Sequence, residues 1–299
     1  MQKKTVLFAL VALAVTIAMI VIGAYLYFAP LAGFKITQNI EYAPRAEGSR
    51  PAAHLLDVYE PKFRMPFEKP RPLIIWIHGG SWLMGDKSST LAQYLPMCGY
   101  VGASINYRYS TEKKFPAQIE DVRTAIKYLR ENSARYNFDP DRIGVWGQSA
   151  GGHLAALAGV NLGKDVSPVQ AVCDWCGPAD LITLASQAGP DNVFDANDVN
   201  GAIAKLLGGV PGKDKAATEL AKEASPVTYV RKELPPFLVV HGDNDQVIPV
   251  EQSIEFIDKL KAAGADCELQ LVHGGRHNFT TTDIVFDSVH FFDEKLKRP

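Results

Sequence analysis

The chain is short of charge imbalance, of cysteine and of repetition, and each shortage removes a class of function. Its 31 Lys and Arg stand against 33 Asp and Glu, a formal net charge of −2. That leaves no electrostatic argument for nucleic acid or for an acidic partner. Only four cysteines occur, Cys98, Cys173, Cys176 and Cys267. Cys173 and Cys176 have C-x-x-C spacing, but no second pair of ligands stands close by, as zinc would need. Their segment runs from an apolar strand pattern into Gly177-Pro178, whereas a thioredoxin-like site wants its first Cys at a helix start. Both read as buried structural thiols. No low-complexity tract is present and the aromatic residues form no repeat, so a repeat architecture gains no support.

Charge is also missing from one particular stretch. After Met1-Gln2-Lys3-Lys4, no charged residue occurs from Val6 to Phe28. At a helical rise this run spans about 30 Å, the thickness of a bilayer core. It is longer than the apolar region of a secretory signal, and Tyr27 to Gly33 offers no good cleavage pair. Residues 1–30 are therefore expected to form an uncleaved transmembrane anchor, with a signal peptide as the alternative. The leading lysines place the N-terminus in the cytoplasm and the rest outside it. That is periplasmic in a bacterium, or secreted if the segment is cleaved. An outward-facing domain would permit a disulfide, but sequence cannot pair these cysteines.

The remainder has ordinary globular proportions, 47% hydrophobic and 21% charged. Its length suits one large α/β domain with a substantial core, over residues 54–299. Residues 31–53 are polar, carry Gly33, Pro44, Gly48 and Pro51, and read as a linker and entry loop. His54 to Tyr59 alternates as an early edge strand would. Leu73–Ile77 and Pro236–Val240 are continuous apolar runs suited to burial on both faces. Further strands are predicted at 100–107, from Arg142, at 169–175 and at 267–272. Helical patterns lie at Ala117–Tyr136, opened by Pro116, at Glu251–Ala263, ended by Gly264, and at Asp283–Lys297. Strands alternating with helices give a mostly parallel sheet covered on both faces. Residues 178–225 are too long for a simple connection and read as a small cap insertion over the site, with a short helix near 201–207.

Within this frame, Ile143-Gly144-Val145-Trp146 leads into Gly147-Gln148-Ser149-Ala150-Gly151, and a helix-like run follows. Strand, sharp turn and helix around G-x-S-x-G make a nucleophile elbow with Ser149 at its apex. Side chains at 147 and 151 would meet the neighbouring strand and helix, which calls for glycine. The free N–H groups of the helix behind Ser149 favour negative charge on a bound oxygen. The strand at 73–77 ends in His78-Gly79-Gly80-Ser81-Trp82, whose glycines let the backbone turn and present N–H groups. Two further loops follow strand ends: His241 to Pro249, and His273-Gly274-Gly275-Arg276-His277. Both lie on the edge where open α/β sheets place their sites. Of seven histidines, His277 has the loop freedom to reach Ser149. His153 sits on the elbow helix, His78 and His241 precede glycine turns, and His273 ends a strand. His277 is then the base and Asp245 the acid that orients it, with Asp243 and Asp174 as rivals for that role.

With these residues in place, the chain resembles the α/β-hydrolase superfamily. More narrowly it is similar to the esterase/lipase group with an H-G-G-x-W loop, which includes feruloyl and acetyl esterase-like domains and arylformamidases. The resemblance rests on His78 to Trp82, Asn106-Tyr107-Arg108, Gly147 to His153, Asp174-Trp175 with Gly177-Pro178, the H-G-x-x-D-x-x-V/I-P element at His241 to Pro249, and His277. It covers nearly all of residues 54–299. It implies an α/β-hydrolase fold, Asp245 as the acid, and oxyanion donors on the N–H groups of Gly80, Ser81 and Ala150. Two positions depart from hormone-sensitive-lipase-like enzymes: Ser81 replaces their third loop glycine, and Asn106 replaces their usual Asp before Tyr-Arg. Neither touches the triad.

The expected function is a serine carboxylesterase acting on small or short-chain acyl esters through an acyl-enzyme on Ser149. It calls for no metal or cofactor, takes a small-molecule ester, and meets the membrane through its first thirty residues. An arylformamidase or other amidase fits the same loop. A catalytically silent, membrane-anchored binding module is the non-enzyme alternative. A prolyl peptidase would need a propeller domain for which the chain has no room.

Overall fold

An apolar run with no polar alternation can be a strand only if both of its faces are covered. The computed structural model, which describes residues 33–62, 67–161, 163–187 and 201–297, shows how that covering is arranged. The strands are β1 (Phe34–Glu41), β2 (Leu55–Pro61), β3 (Arg71–Ile77), β4 (Val101–Ile105), β5 (Phe138–Gln148), β6 (Ala171–Trp175), β7 (Phe237–Gly242) and β8 (Cys267–Val272). They form one sheet in the order β1-β2-β4-β3-β5-β6-β7-β8. β1 and β2 join it antiparallel, and from β4 to β8 every pairing is parallel.

The side chains divide the core into two layers. On one face, helices α1 (Ala117–Glu131), α2 (Ala150–Val160) and α5 (Glu251–Ala262) pack Ile119, Leu154 and Phe256 against Ile75, Val145 and Val239. The insertion adds α3 (Ala202–Leu207) and α4 (Lys215–Ala224), whose Leu206, Ala217 and Ala221 join the same cluster. On the other face the parallel register sets Trp76 beside Trp146. Trp146 meets Trp76 edge-on at 5.4 Å and Trp175 at 5.1 Å. The C-terminal helix α6 (Thr282–Phe292) covers them, with Phe292 at 5.9 Å from Trp146.

The structure corrects the sequence reading in four places. Residues 34–41, expected within a linker, form β1. Phe34, Ile36 and Ile40 stand at alternate positions among polar residues, and antiparallel pairing with the backbone of β2 orders the segment. β2 is consequently not an edge strand. Its Asp57 faces inward and pairs with buried Lys87 at 2.8 Å. The helix expected over 117–136 breaks at Asn132, whose side chain and N–H both turn back to the carbonyl of Tyr128. The insertion carries a helix, α4, that sequence reading left irregular. Asp214 caps it by accepting from the Ala217 N–H at 3.1 Å. The expected membrane span over 6–28 lies outside the described residues. Among the described residues no helix is long and apolar enough to cross a membrane.

Trp146 is the centre of the aromatic layer and is 1% exposed. Trp146→Ala should destabilise the fold by about 3–5 kcal/mol. Urea unfolding checks this, with a lower midpoint at an unchanged slope expected.

Candidate active site

Ser149 stands between the end of β5 and the start of α2, with φ 58° and ψ −123°. Such a conformation costs about 1–3 kcal/mol and persists only where the surroundings impose it. Here they do. The Ser149 N–H donates to Trp175 O at 2.8 Å, and Ser149 O accepts from the His153 N–H at 2.9 Å. A Cβ on Gly151 would collide with Ile77 O, and one on Gly147 with Gly151 O. Strand and helix therefore approach at backbone contact, and the serine side chain is left projecting from the turn.

The loops after β7 and β8 bring two partners to it. His277 Nε2 lies 2.9 Å from Ser149 Oγ, and His277 Nδ1 lies 2.7 Å from Asp245 Oδ2. A carboxylate only accepts, so Nδ1 carries the ring proton and Nε2 presents its lone pair to the serine hydroxyl. Asp245 Oδ1 accepts from the N–H groups of Val247 and Ile248 at 2.8 and 3.0 Å. Burial alone would raise the Asp245 pKa. Hydrogen bonds from His241 and His277 outweigh it and hold the carboxyl well below the usual range. Of the rival acids, Asp243 pairs with exposed His273 at 2.9 Å. Asp174 is buried and accepts from the Gly177 N–H at 2.9 Å.

The loop after β3 closes the site from the other side. Ser81 and Trp82 both have positive φ, 52° and 58°, and Gly80 O accepts from the N–H groups of Leu83 and Met84. The loop is pinned by its large side chains. Trp82 is fully buried and its Nε1–H donates to His153 Nδ1 at 3.2 Å. His153 Nε2–H in turn donates to Ala224 O at 2.7 Å, so the neutral tautomer is set at both ends. Burial lowers the His153 pKa to about 4. His78 stacks on Tyr107 with ring centres 4.5 Å apart, and burial likewise lowers it to about 4. Asn106 Oδ1 accepts from the Lys87 N–H at 2.7 Å and fixes the far end of the loop. Among the described residues, the backbone N–H groups of Gly80, Ser81 and Ala150 have no backbone acceptor. Between the loops lies a cavity of about 490 Å³, with Ser149, His277, Ser81, Met84, Val247 and Asn278 in its wall.

The sequence pattern of the BD-FAE family matches residues 56–260, from β2 through α5. The chain belongs to the BD-FAE family. It is 34% identical to Esterase LipC of Mycobacterium tuberculosis (strain ATCC 25618 / H37Rv), over 77% of this chain and 58% of that protein. It is 27% identical to the isoprenylcysteine alpha-carbonyl methylesterase ICME of Arabidopsis thaliana, over 74% of this chain and 53% of that protein. The chain thus spans little more than half the length of these curated relatives. Among solved structures, a truncated carbohydrate esterase from gut microbiota superposes with a TM-score of 0.74 and 32% identity, covering 89% of this chain and 98% of that one. Esterase B from Lactobacillus rhamnosis shares the fold with a TM-score of 0.73 at 24% identity, over 95% of this chain and 96% of that one. The fold is the α/β-hydrolase fold.

In this BD-FAE chain some contacts have no signal in the sequence. Cys176 is buried beneath the site with φ 46°, its Sγ 3.7 Å from His277 O. Burial, with Asp245 and Asp174 nearby, pushes its thiol well up, so it stays neutral. Among the described residues Cys176, Asp245 and His277 bring ligand-type atoms within 4.8 Å of one another. The Asp245 and His277 atoms are already joined through a proton. Met84, Val247 and Asn278 reach the cavity from three separate loops, which no local pattern announces.

Asp174 supplies a test of the electrostatics. Burial raises its pKa to about 7. The folded state then keeps a proton that the unfolded state releases near pH 4. Its contribution to stability is greatest below the unfolded pKa and is lost as pH rises from about 4 to 7. Asp174→Asn should gain stability relative to the wild type across that window and hold the gain above it. Denaturant melts of both proteins from pH 4 to 8 would show it, and parallel curves would contradict it.

Proposed function

We propose that this protein is a carboxylic ester hydrolase that acts through an acyl-enzyme on Ser149. The observation that carries the reading is the unbroken chain Ser149 Oγ, His277 Nε2, His277 Nδ1 and Asp245 Oδ2, at 2.9 and 2.7 Å. His277 takes the Ser149 proton as Oγ attacks the ester carbonyl, and Asp245 stabilises the imidazolium that forms. The N–H groups of Gly80, Ser81 and Ala150 hold the carbonyl oxygen as it becomes negative. His277 then gives its proton to the leaving alcohol, and water enters against the acyl-enzyme with His277 again as base. The names of the relatives, all esterases, support the ester as the bond broken.

Small or short-chain acyl groups are the proposed substrates. The 490 Å³ cavity supports this, since its wall mixes the polar Ser81 and Asn278 with Met84 and Val247. We further propose that the charge-free run from Val6 to Phe28 anchors the domain in a membrane with its catalytic part outside the cytoplasm. Alkaline carbonate extraction should leave the full chain with the membranes; release into the soluble fraction would refute the anchor.

The decisive assay is hydrolysis of a p-nitrophenyl ester series, acetate to laurate, beside feruloyl and formyl-aryl substrates. Turnover should peak at short acyl chains. Ser149→Ala should lower kcat by at least roughly 10³-fold and abolish labelling by a fluorophosphonate. Unchanged turnover in that variant would remove Ser149 from the reaction. A peak on formyl-aryl amides would move the assignment to an amidase.

A further inference from the structure

Two buried side chains that the proposed reaction does not use lie in line behind the Asp245 carboxylate, Ser253 on His241 and His241 on Asp245. His241 closes β7 and Ser253 lies in the first turn of α5; they are 0% and 1% exposed. His241 Nε2 stands 2.9 Å from Ile248 O and 3.2 Å from Asp245 Oδ2. Both oxygens only accept, so this nitrogen carries a proton. His241 Nδ1 stands 2.6 Å from Ser253 Oγ. In the neutral ring that nitrogen offers a lone pair, and the Ser253 hydroxyl must donate to it. Asp245 Oδ1 is already taken by two backbone N–H groups, which leaves Oδ2 to be shared by His241 and His277.

We propose that Ser253 is a positioning residue: it holds His241 as the neutral Nε2–H tautomer, and that N–H fixes Asp245 Oδ2 for His277. The inference rests on reading Ser149, His277 and Asp245 as the reacting set. Two serine–histidine pairs then meet at one carboxylate. Ser253 donates to His241 and His241 to Asp245, while Ser149 donates to His277 and His277 to Asp245. The first pair is sealed from solvent and moves no proton during turnover. Its task is geometric. If the ring proton moved to Nδ1, a bare Nε2 would face two acceptor oxygens at 2.9 and 3.2 Å. The carboxylate would turn to escape that repulsion, and His277 would lose its alignment with Ser149. Such a displacement harms the reacting geometry and leaves substrate binding intact.

The test begins with 15N-histidine NMR on the full chain in detergent, with the His241 signals assigned by their loss in His241→Gln. The wild type should show a bare Nδ1 and a protonated Nε2. A ring protonated at both nitrogens, or at Nδ1 alone, would overturn the proposal whatever the variants do. Ser253→Ala should lose this signature and lower kcat by about 10- to 100-fold with KM within about twofold. Ser253→Thr, which keeps the hydroxyl, should restore the signature and most of kcat. A Ser253→Ala enzyme with wild-type kcat would equally overturn the role. Failure of the underlying reading looks different: turnover would survive Ser149→Ala, while the His241 tautomer would still be measured on its own.

Discussion

The site depends on one close approach, that of the Gly147–Gly151 turn to the end of β3. Where Gly151 meets Ile77 O there is no room for a side chain, and the turn between β5 and α2 can be sharp only because of it. The sharpness forces Ser149 into its positive φ and aims Oγ away from the sheet. It also puts the N-terminus of α2 beside the end of β3, where Gly151 meets Ile77 O and His78 O. Parallel pairing of β3, β5 and β6 makes this possible, because all three strands then end on the same edge.

Around the turn, hydrogen-bond partners at both ring nitrogens favour one tautomer for His153, His241 and His277. His153 is fixed by Trp82 and Ala224 O, His277 by Asp245, and His241 by Ile248 O and Ser253. A buried donor or acceptor without a partner costs about 1–3 kcal/mol, so such chains tolerate few alternatives. Fixed tautomers hold lone pairs and protons in set directions, which is the kind of preorganisation an electrostatic site requires. The aromatic layer of Trp76, Trp146 and Trp175 stiffens the opposite face of the same strands.

Much of this was legible in the residues. Leu73–Ile77 and Pro236–Val240 read as buried strands, and the turn around Ser149 announced itself by its two glycines. Ser149, Asp245 and His277 all follow strand ends, so their meeting could be foreseen from the order of elements. Choosing Asp245 over Asp243 and Asp174 was different. The residues favoured Asp245 with two rivals left standing, and the resemblance pointed to the same one. In the structure Asp243 turns to the surface, Asp174 is buried against Gly177, and Asp245 faces His277.

Local sequence determined what could be local: the strand runs, the glycine-dependent turn, the helix ended by Gly264, and the residue types able to hold and move a proton. Tertiary structure decided what depends on partners far along the chain. β1 has only Phe34, Ile36 and Ile40 at alternate positions in a polar stretch, and its place in the sheet comes from pairing with the edge that β2 offers. Cys176 lies under His277, and Ser253 on α5 reaches the His241 ring, through the packing of helices and loops onto the sheet. A hydrogen bond between residues separated in sequence has no periodicity to betray it. Only the fold sets the distance, and distance decides whether two polar groups are partners or strangers.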